Sequence, residues 1–158
     1  MDETRLPSDQ GKPILVSACL LGLATRYDGA AKASQAVIDY LQRENLVPVP
    51  VCPEQLAGMA TPRDKTFFRS GDGSDVLTGH GEVVSITGQP MNEVFCRGAQ
   101  MTLQIARLAD CRRALLKERS PSCGVHQIYR STTRVQGVGV TTALLSKAGI
   151  KVISEEDL

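Results

Sequence analysis

Four apolar runs of strand length predict β-strands along the chain. The first contains the β-branched residues Ile14 and Val16, as buried strands often do. The second contains Pro48 and Pro50, which lack a backbone N–H, so it is expected at the edge of a sheet. The predicted strands span residues 13–19, 46–54, 114–117 and 150–153.

Helical periodicity separates these strands. Ser34 is the expected N-cap of a helix over 35–44, Asn92 that of a helix over 93–110, and Gly149 is expected to end a helix over 140–148. The second helix is expected to turn an apolar face inward (Val94, Met101, Leu103, Ile105 and Leu108). The alternation of strands and helices predicts an α/β fold, a single three-layer Rossmann-like domain with a mainly parallel sheet.

Residues 57–90 have no clear periodicity and read as a β-ribbon or a covering loop. Asp72-Gly73 is expected to form a turn, and EVVSI a short strand. Long irregular insertions in compact domains are often functional. Because of its glycines and the Phe67-Phe68 pair, the part from 66 to 90 is expected to close over the site.

Length and charge limit the function classes. A chain of 158 residues is most simply a flexible lead-in over 1–12 and one domain over 13–158. The net charge of +1 gives no overall basic field for nucleic acid, and no apolar stretch is long enough to span a membrane. The polar N-terminus does not resemble a secretory signal, so a cytoplasmic location is expected.

Five cysteines without an export signal favour metal binding or catalysis over disulfides. Cys19, Cys52 and Cys123 each follow a predicted strand, and in a parallel sheet such ends share one edge. Three soft ligands there would suit an iron–sulfur cluster or zinc with one open coordination position. The alternative for each is a packing cysteine.

The remaining cysteines, Cys96 and Cys111, are interpreted as packing or surface thiols. Together with His80 and His126 they are the remaining candidates for a fourth ligand, although none follows an evident strand.

Polar residues flank the three cysteines. Glu54 in VCPE is a candidate general acid or base, and Ser120 and Ser122 in SPSCG are candidate hydrogen-bond donors. Asp28 and Arg63 are candidates for orienting a polar ligand. Each also has an ordinary interpretation as a turn residue, a surface charge or a capping hydroxyl.

The motifs VSACLLG, RYDG, VCPE, TPR, GDG, SPSCG and GVGVTTALL occur in this order. Together they resemble a bacterial family first catalogued as a domain of unknown function, whose members are described as thiouracil desulfidases. The resemblance covers residues 13–155. It departs from the usual pattern at Ala57-Gly58, where relatives often have paired glycines, and beyond TPR, where many relatives have a glutamate.

The resemblance implies that Cys19, Cys52 and Cys123 hold a 4Fe-4S cluster with one iron free of protein ligands. The thiocarbonyl sulfur of 2-thiouracil, or of a related thiolated pyrimidine, would bind that iron, and water would replace the sulfur without net redox change. Glu54 would transfer protons with help from Ser120. The substrate-binding residues would be Asp28, Arg63 and Ser122.

Two other functions fit the same cysteines. One is a non-catalytic iron–sulfur or metal-binding protein, such as a sensor or sulfur carrier, which gives Glu54 and Ser120 no role. The other is a metal-free enzyme with a cysteine nucleophile. The sequence leaves open whether the substrate is a free base or thiouridine in RNA, and which oligomeric state the protein has.

Overall fold

The computed structural model describes residues 11–158. The strands are β1 (Lys12–Ser17), β2 (Leu46–Val51), β3 (Thr66–Ser70), β4 (Glu82–Ser85), β5 (Arg113–Leu116), β6 (Gln127–Arg130), β7 (Thr133–Gln136) and β8 (Lys151–Ser154). The helices are α1 (Gln35–Arg43), α2 (Pro53–Leu56), α3 (Gly73–Leu77), α4 (Asn92–Leu108) and α5 (Val140–Lys147), with 3-10 turns at Ala18–Leu21 and Glu155–Asp157. Most of the predicted lead-in lies outside the described residues, but Lys12 is already the first residue of β1.

The predicted parallel sheet is confirmed. Its strand order is β2-β1-β5-β8, and all three pairs are parallel. As the two prolines required, β2 is at an edge, where it pairs with β1 from Lys12↔Leu46 to Ser17↔Val51. Side chains alternate between the two faces of a strand, so neighbouring residues of β1 enter different cores.

Helices cover both faces of this sheet. On one face Leu15 packs with Leu103 of α4 and Leu145 of α5. On the other face Ile14 and Val16 pack with residues of α1 (Val37, Tyr40 and Leu41). Both faces are therefore buried against helices, which is the three-layer α/β arrangement that the sequence predicts.

A second sheet, of order β4-β3-β6-β7, was not predicted as a whole. The expected ribbon is present as the antiparallel pair β3–β4, but β6 and β7 are additional. These two strands are short and Ile128 is their one buried residue, so they lack the apolar signal of a buried strand. A third core cluster joins this sheet to α4 through contacts of Phe68, Val83 and Ile128 with Phe95 and Ala99.

Two predicted local roles are wrong. Asp72-Gly73 is not a separate turn but the start of α3, where Asp72 is the N-cap and its side chain accepts hydrogen bonds from the backbone N–H groups of Ser74 and Asp75. Asn92 does not cap α4. Its side chain accepts a hydrogen bond from the Val83 N–H (2.8 Å) and donates one to the Gly81 carbonyl (2.9 Å), which fastens the start of α4 to β4.

The buried face of α4 agrees with the expected one only in part, because Leu103 is buried and Ile105 packs against the core but two other residues are exposed. Met101 and Leu108 are 38% and 81% exposed. The helix instead buries a face made largely of small residues (Phe95, Gly98, Ala99, Thr102, Leu103 and Ala106). A Cβ atom at Gly98 would collide with the Pro53 carbonyl oxygen, so the glycine allows α2 to lie directly against α4.

Within residues 11–158, no helix has the length and apolar content needed to cross a membrane.

We expect Gly98→Ala to destabilise the protein by about 1–3 kcal/mol, because the added methyl group overpacks the α2–α4 contact. Helix propensity alone predicts the opposite, a gain of about 1 kcal/mol. Denaturant unfolding of the variant beside Gln100→Ala, an exposed position on the same helix, measures the difference. A Gly98→Ala protein as stable as the wild type would contradict this packing.

Candidate active site

The three cysteines predicted to be ligands follow neighbouring strands at the same edge of the parallel sheet. Cys19 lies in the 3-10 turn after β1, Cys52 directly follows β2, and Cys123 lies in the loop after β5. Since β1 is hydrogen-bonded to both β2 and β5, these segments are adjacent. All three cysteines line one cavity of about 400 Å³, as expected for the carboxyl ends of parallel strands.

The three thiols are free, and the surroundings of Cys19 and Cys123 favour the neutral form of those two. Burial raises the pKa of Cys19 to about 11. Burial also raises the pKa of Cys123, and negative charge on Cys52 or Cys19 raises it further. A metal that binds these sulfurs must therefore displace protons from them.

The other candidate ligands lie outside the lining of this cavity. Cys111 is buried in the core and Cys96 packs against the third core cluster, so their interpretation as packing residues is confirmed. His80 is hydrogen-bonded to Thr78. Among residues 11–158 no group of three His, Cys, Asp or Glu side chains is arranged to share one metal ion.

Glu54 lines the cavity from the first turn of α2, and both of its carboxylate oxygens have partners. The Nε of Arg63 donates to Oε1 (3.2 Å), and the Oγ of Ser122 donates to Oε2 (3.3 Å). The side chains of Glu54 and Arg63 are only 12% and 6% exposed. This nearly dry ion pair fixes the direction of the carboxylate.

Ser120 also lines the cavity. Its Oγ accepts hydrogen bonds from the backbone N–H groups of Ser122 and Cys123, both at 3.2 Å. Because these bonds use the lone pairs of the oxygen, its hydroxyl hydrogen remains available for donation.

Asp28 is not among the lining residues. It lies in an exposed turn, where its carboxylate accepts a hydrogen bond from the Ala30 N–H at 3.0 Å. The segment expected to cover the site contributes Thr66 to the lining, whereas Phe68 is fully buried in the third core cluster. Phe68 therefore does not cover the site.

A family model described as 2-thiouracil desulfurase matches residues 14–157. The chain belongs to this family. The uncharacterised protein YbbK of Bacillus subtilis is 40% identical over 148 residues, which is 92% of this chain and 97% of YbbK. The solved structure of TudS, described as a 4Fe-4S-dependent thiouracil desulfidase, is 39% identical with a TM-score of 0.79 and covers 93% of each chain.

In this member of the desulfurase family, the cavity lined by the three cysteines has far more cationic than anionic side chains, although the net charge of the whole chain is only +1. Its lining contains two carboxylates, Glu54 and Glu118. Seven cationic side chains also line it (Arg26, Lys32, Arg63, Lys65, Lys117, Arg119 and Arg134). Two cations lie near aromatic rings, Arg26 at 6.0 Å from the ring centre of Tyr27 and Lys65 at 5.6 Å from that of Tyr129.

Sequence reasoning missed Glu118, which organises the loop that carries Cys123. The residue is 2% exposed, and its Oε1 accepts hydrogen bonds from four backbone N–H groups (Arg119, Val125, His126 and Gln127). Burial alone would raise the pKa of Glu118, but these N–H groups lower it below its ordinary value of 4.5. The buried carboxylate is therefore held as an ion.

The 3-10 turn at Glu155–Asp157 also contacts the loop that carries Cys123. Each of its three acids pairs with a basic residue in or beside the loop: Lys117–Glu155 at 2.9 Å, Arg119–Glu156 at 2.7 Å and His126–Asp157 at 3.0 Å. The three acids of this turn thus have specific partners. No local pattern links an acidic turn to a loop so distant in sequence.

We expect Glu118→Gln to lower the free energy of unfolding by about 1–3 kcal/mol at pH 7, because hydrogen bonds to a carboxylate are stronger than those to an amide. A lowered pKa contributes stability above the ordinary value of 4.5 and loses it as the pH falls through the folded value. The difference from wild type should therefore shrink below pH 4.5, as measured by urea unfolding at several pH values. Glu44→Gln, at an exposed position, is the control; a difference independent of pH would contradict an ionised Glu118.

Proposed function

We propose that this protein is an iron–sulfur desulfidase, with residues 13–158 as its catalytic domain. It would convert 2-thiouracil or a related thiolated pyrimidine to the oxo base and sulfide. The observation that carries the proposal is the single cavity lined by Cys19, Cys52, Cys123 and Glu54, in a chain that belongs to the 2-thiouracil desulfurase family.

The donor set suits a 4Fe-4S cluster. Thiolates are the usual ligands of such clusters, and each would bind a different iron, so the three sulfurs need not meet at one point. Cys19, Cys52 and Cys123 would hold three irons and leave one without a protein ligand. The cationic lining of the cavity would offset the negative charge of the thiolates.

When bound, the cluster would supply a Lewis-acidic iron for the thiocarbonyl sulfur of the substrate. The protein's own residues would direct the water. Glu54 faces the cavity with its carboxylate fixed by Arg63 and Ser122, and would accept a proton from the attacking water. Ser120, whose hydroxyl hydrogen is free, would donate to a polar atom of the pyrimidine.

The reaction balances without an electron acceptor. The water oxygen becomes the carbonyl oxygen of the base, the carbon–sulfur bond breaks, and the two protons of water leave with sulfide. Glu54 returns to its carboxylate form when it passes on its proton. Asp28, in its exposed turn, has no role in this mechanism.

Cluster binding is tested with anaerobic reconstitution of wild type, Cys19→Ala, Cys52→Ala and Cys123→Ala. We expect about four irons in wild type, and loss of iron, acid-labile sulfide and visible absorption in each variant. Cys96→Ala, outside the cavity lining, should keep the cluster. A wild type that stays colourless after reconstitution would exclude the cluster.

Catalysis is tested with Glu54→Gln. We expect full cluster content and a fall in thiouracil turnover of about 10²–10⁴-fold, the usual contribution of a general base. Free 2-thiouracil and an RNA containing thiouridine should be assayed in parallel, because they separate the two substrate forms. Unchanged turnover in Glu54→Gln would remove its catalytic role, and a wild type that binds the cluster without turnover would indicate a sensor or carrier.

A further inference from the structure

Arg63 has no N–H group left for a substrate. A guanidinium has five N–H donors, and each has an acceptor within the protein. Nε donates to Glu54, Nη1 to the Ala60 carbonyl (3.3 Å) and the Thr61 hydroxyl (2.8 Å), and Nη2 to the Thr25 carbonyl (2.8 Å) and the Cys52 sulfur (3.9 Å). A substrate could bind Arg63 only by displacing one of these partners.

Ser122 has a similarly internal role. The residue is buried, 2% exposed, and is not part of the cavity lining. Its hydroxyl donates to Glu54 Oε2 (3.3 Å). Its backbone N–H donates to Ser120, and its backbone oxygen accepts from Thr141. Ser122 therefore contacts the catalytic carboxylate and not the space where a substrate would lie.

The contacts of Arg63, Glu54 and Ser122 join three separate parts of the chain. Thr25 lies on the loop that follows Cys19, Glu54 follows Cys52 on α2, and Ser122 directly precedes Cys123. The Ser122–Glu54 bond spans 68 residues and the Arg63–Thr25 bond spans 38. Each cysteine-bearing segment is thus tied to the others by protein contacts alone.

We propose that Arg63 and Ser122 are positioning residues, which aim the Glu54 carboxylate into the cavity and hold the three cysteine segments together before a cluster binds. The inference rests on the proposed function for the role of Glu54, but the pre-assembly of the cysteines is a property of the protein alone. It replaces the substrate-binding roles expected for both residues from the sequence.

Lysine cannot replace Arg63 in this network. Its ammonium group has three donors at one nitrogen and cannot reach acceptors on three segments of the chain as the planar guanidinium does. Arg63→Lys keeps the charge but should lose the ties to Thr25 and Cys52. Ser122→Ala leaves the arginine network intact and removes only the hydrogen bond to Glu54 Oε2.

Pre-assembly of the three cysteine segments is tested first on the cluster-free protein. The background carries Cys96→Ala and Cys111→Ala, so that only the thiols of the three site cysteines can be modified. We expect Arg63→Lys to raise their rate of modification by an aromatic disulfide by about tenfold or more, because the segments open more often. Ser122→Ala should change the rate less than Arg63→Lys does. The control Arg69→Lys, at a surface ion pair, should match the wild type; unchanged labelling in Arg63→Lys would overturn the pre-assembly.

Positioning of Glu54 is tested on reconstituted protein. We expect Ser122→Ala to hold as much iron as wild type and to lose about tenfold or more in kcat, with KM changed less than about threefold, since ground-state binding is not affected. A rise in KM at unchanged kcat would instead make Ser122 a substrate-binding residue and overturn the inference. If wild type neither binds iron nor desulfurates thiouracil, the proposed function fails, while the labelling experiment still decides the pre-assembly.

Discussion

The site depends on the parallel pairing of β1 with both of its neighbours. Because β1 lies between β2 and β5 and runs in the same direction, all three strands end at one edge of the sheet. Their carboxyl ends deliver Cys19, Cys52 and Cys123 to a common cavity. The helices that bury both faces of the sheet stabilise this pairing, so the chemistry at the edge is supported by the whole hydrophobic core.

Buried charge is the second constraint. An ion taken out of water destabilises a protein unless hydrogen bonds replace its hydration, and the cavity wall contains three such ions, Glu54, Arg63 and Glu118. Arg63 uses all of its donors, and one oxygen of Glu118 collects four backbone N–H groups. These bonds also connect irregular segments that are distant from one another along the chain. The requirement to satisfy buried ions thereby orders the segments that carry the cysteines.

The sequence predicts the features that depend on short-range pattern. Apolar runs locate the strands of the parallel sheet, and prolines identify β2 as an edge strand. The positions of these strands are enough to predict that the three cysteines at their ends lie on one edge of the sheet. The second sheet lacks such a pattern, because β6 and β7 are short and bury only Ile128. The apolar pattern of α4 does not predict its whole buried face, because the helix buries small residues such as Gly98 and leaves the larger Met101 exposed.

Long-range polar contacts explain the remaining errors at the site. The sequence predicts that Arg63 and Ser122 belong to the site. It does not predict that both side chains contact Glu54 instead of a ligand. Glu118 and the turn at Glu155–Asp157 look like ordinary surface acids until the fold brings them to the Cys123 loop. Their roles follow only from contacts between residues distant along the chain.

The same contacts determine the charge that a ligand would meet. Of the seven cations in the lining, Arg63, Lys117 and Arg119 are paired with carboxylates. The other four (Arg26, Lys32, Lys65 and Arg134) have no ion pair within residues 11–158. A chain with a net charge of +1 thus concentrates unpaired positive charge around the cavity that the three thiols line. Such a field lowers the free energy of any bound anionic group, and thiolates that hold a cluster are one such group.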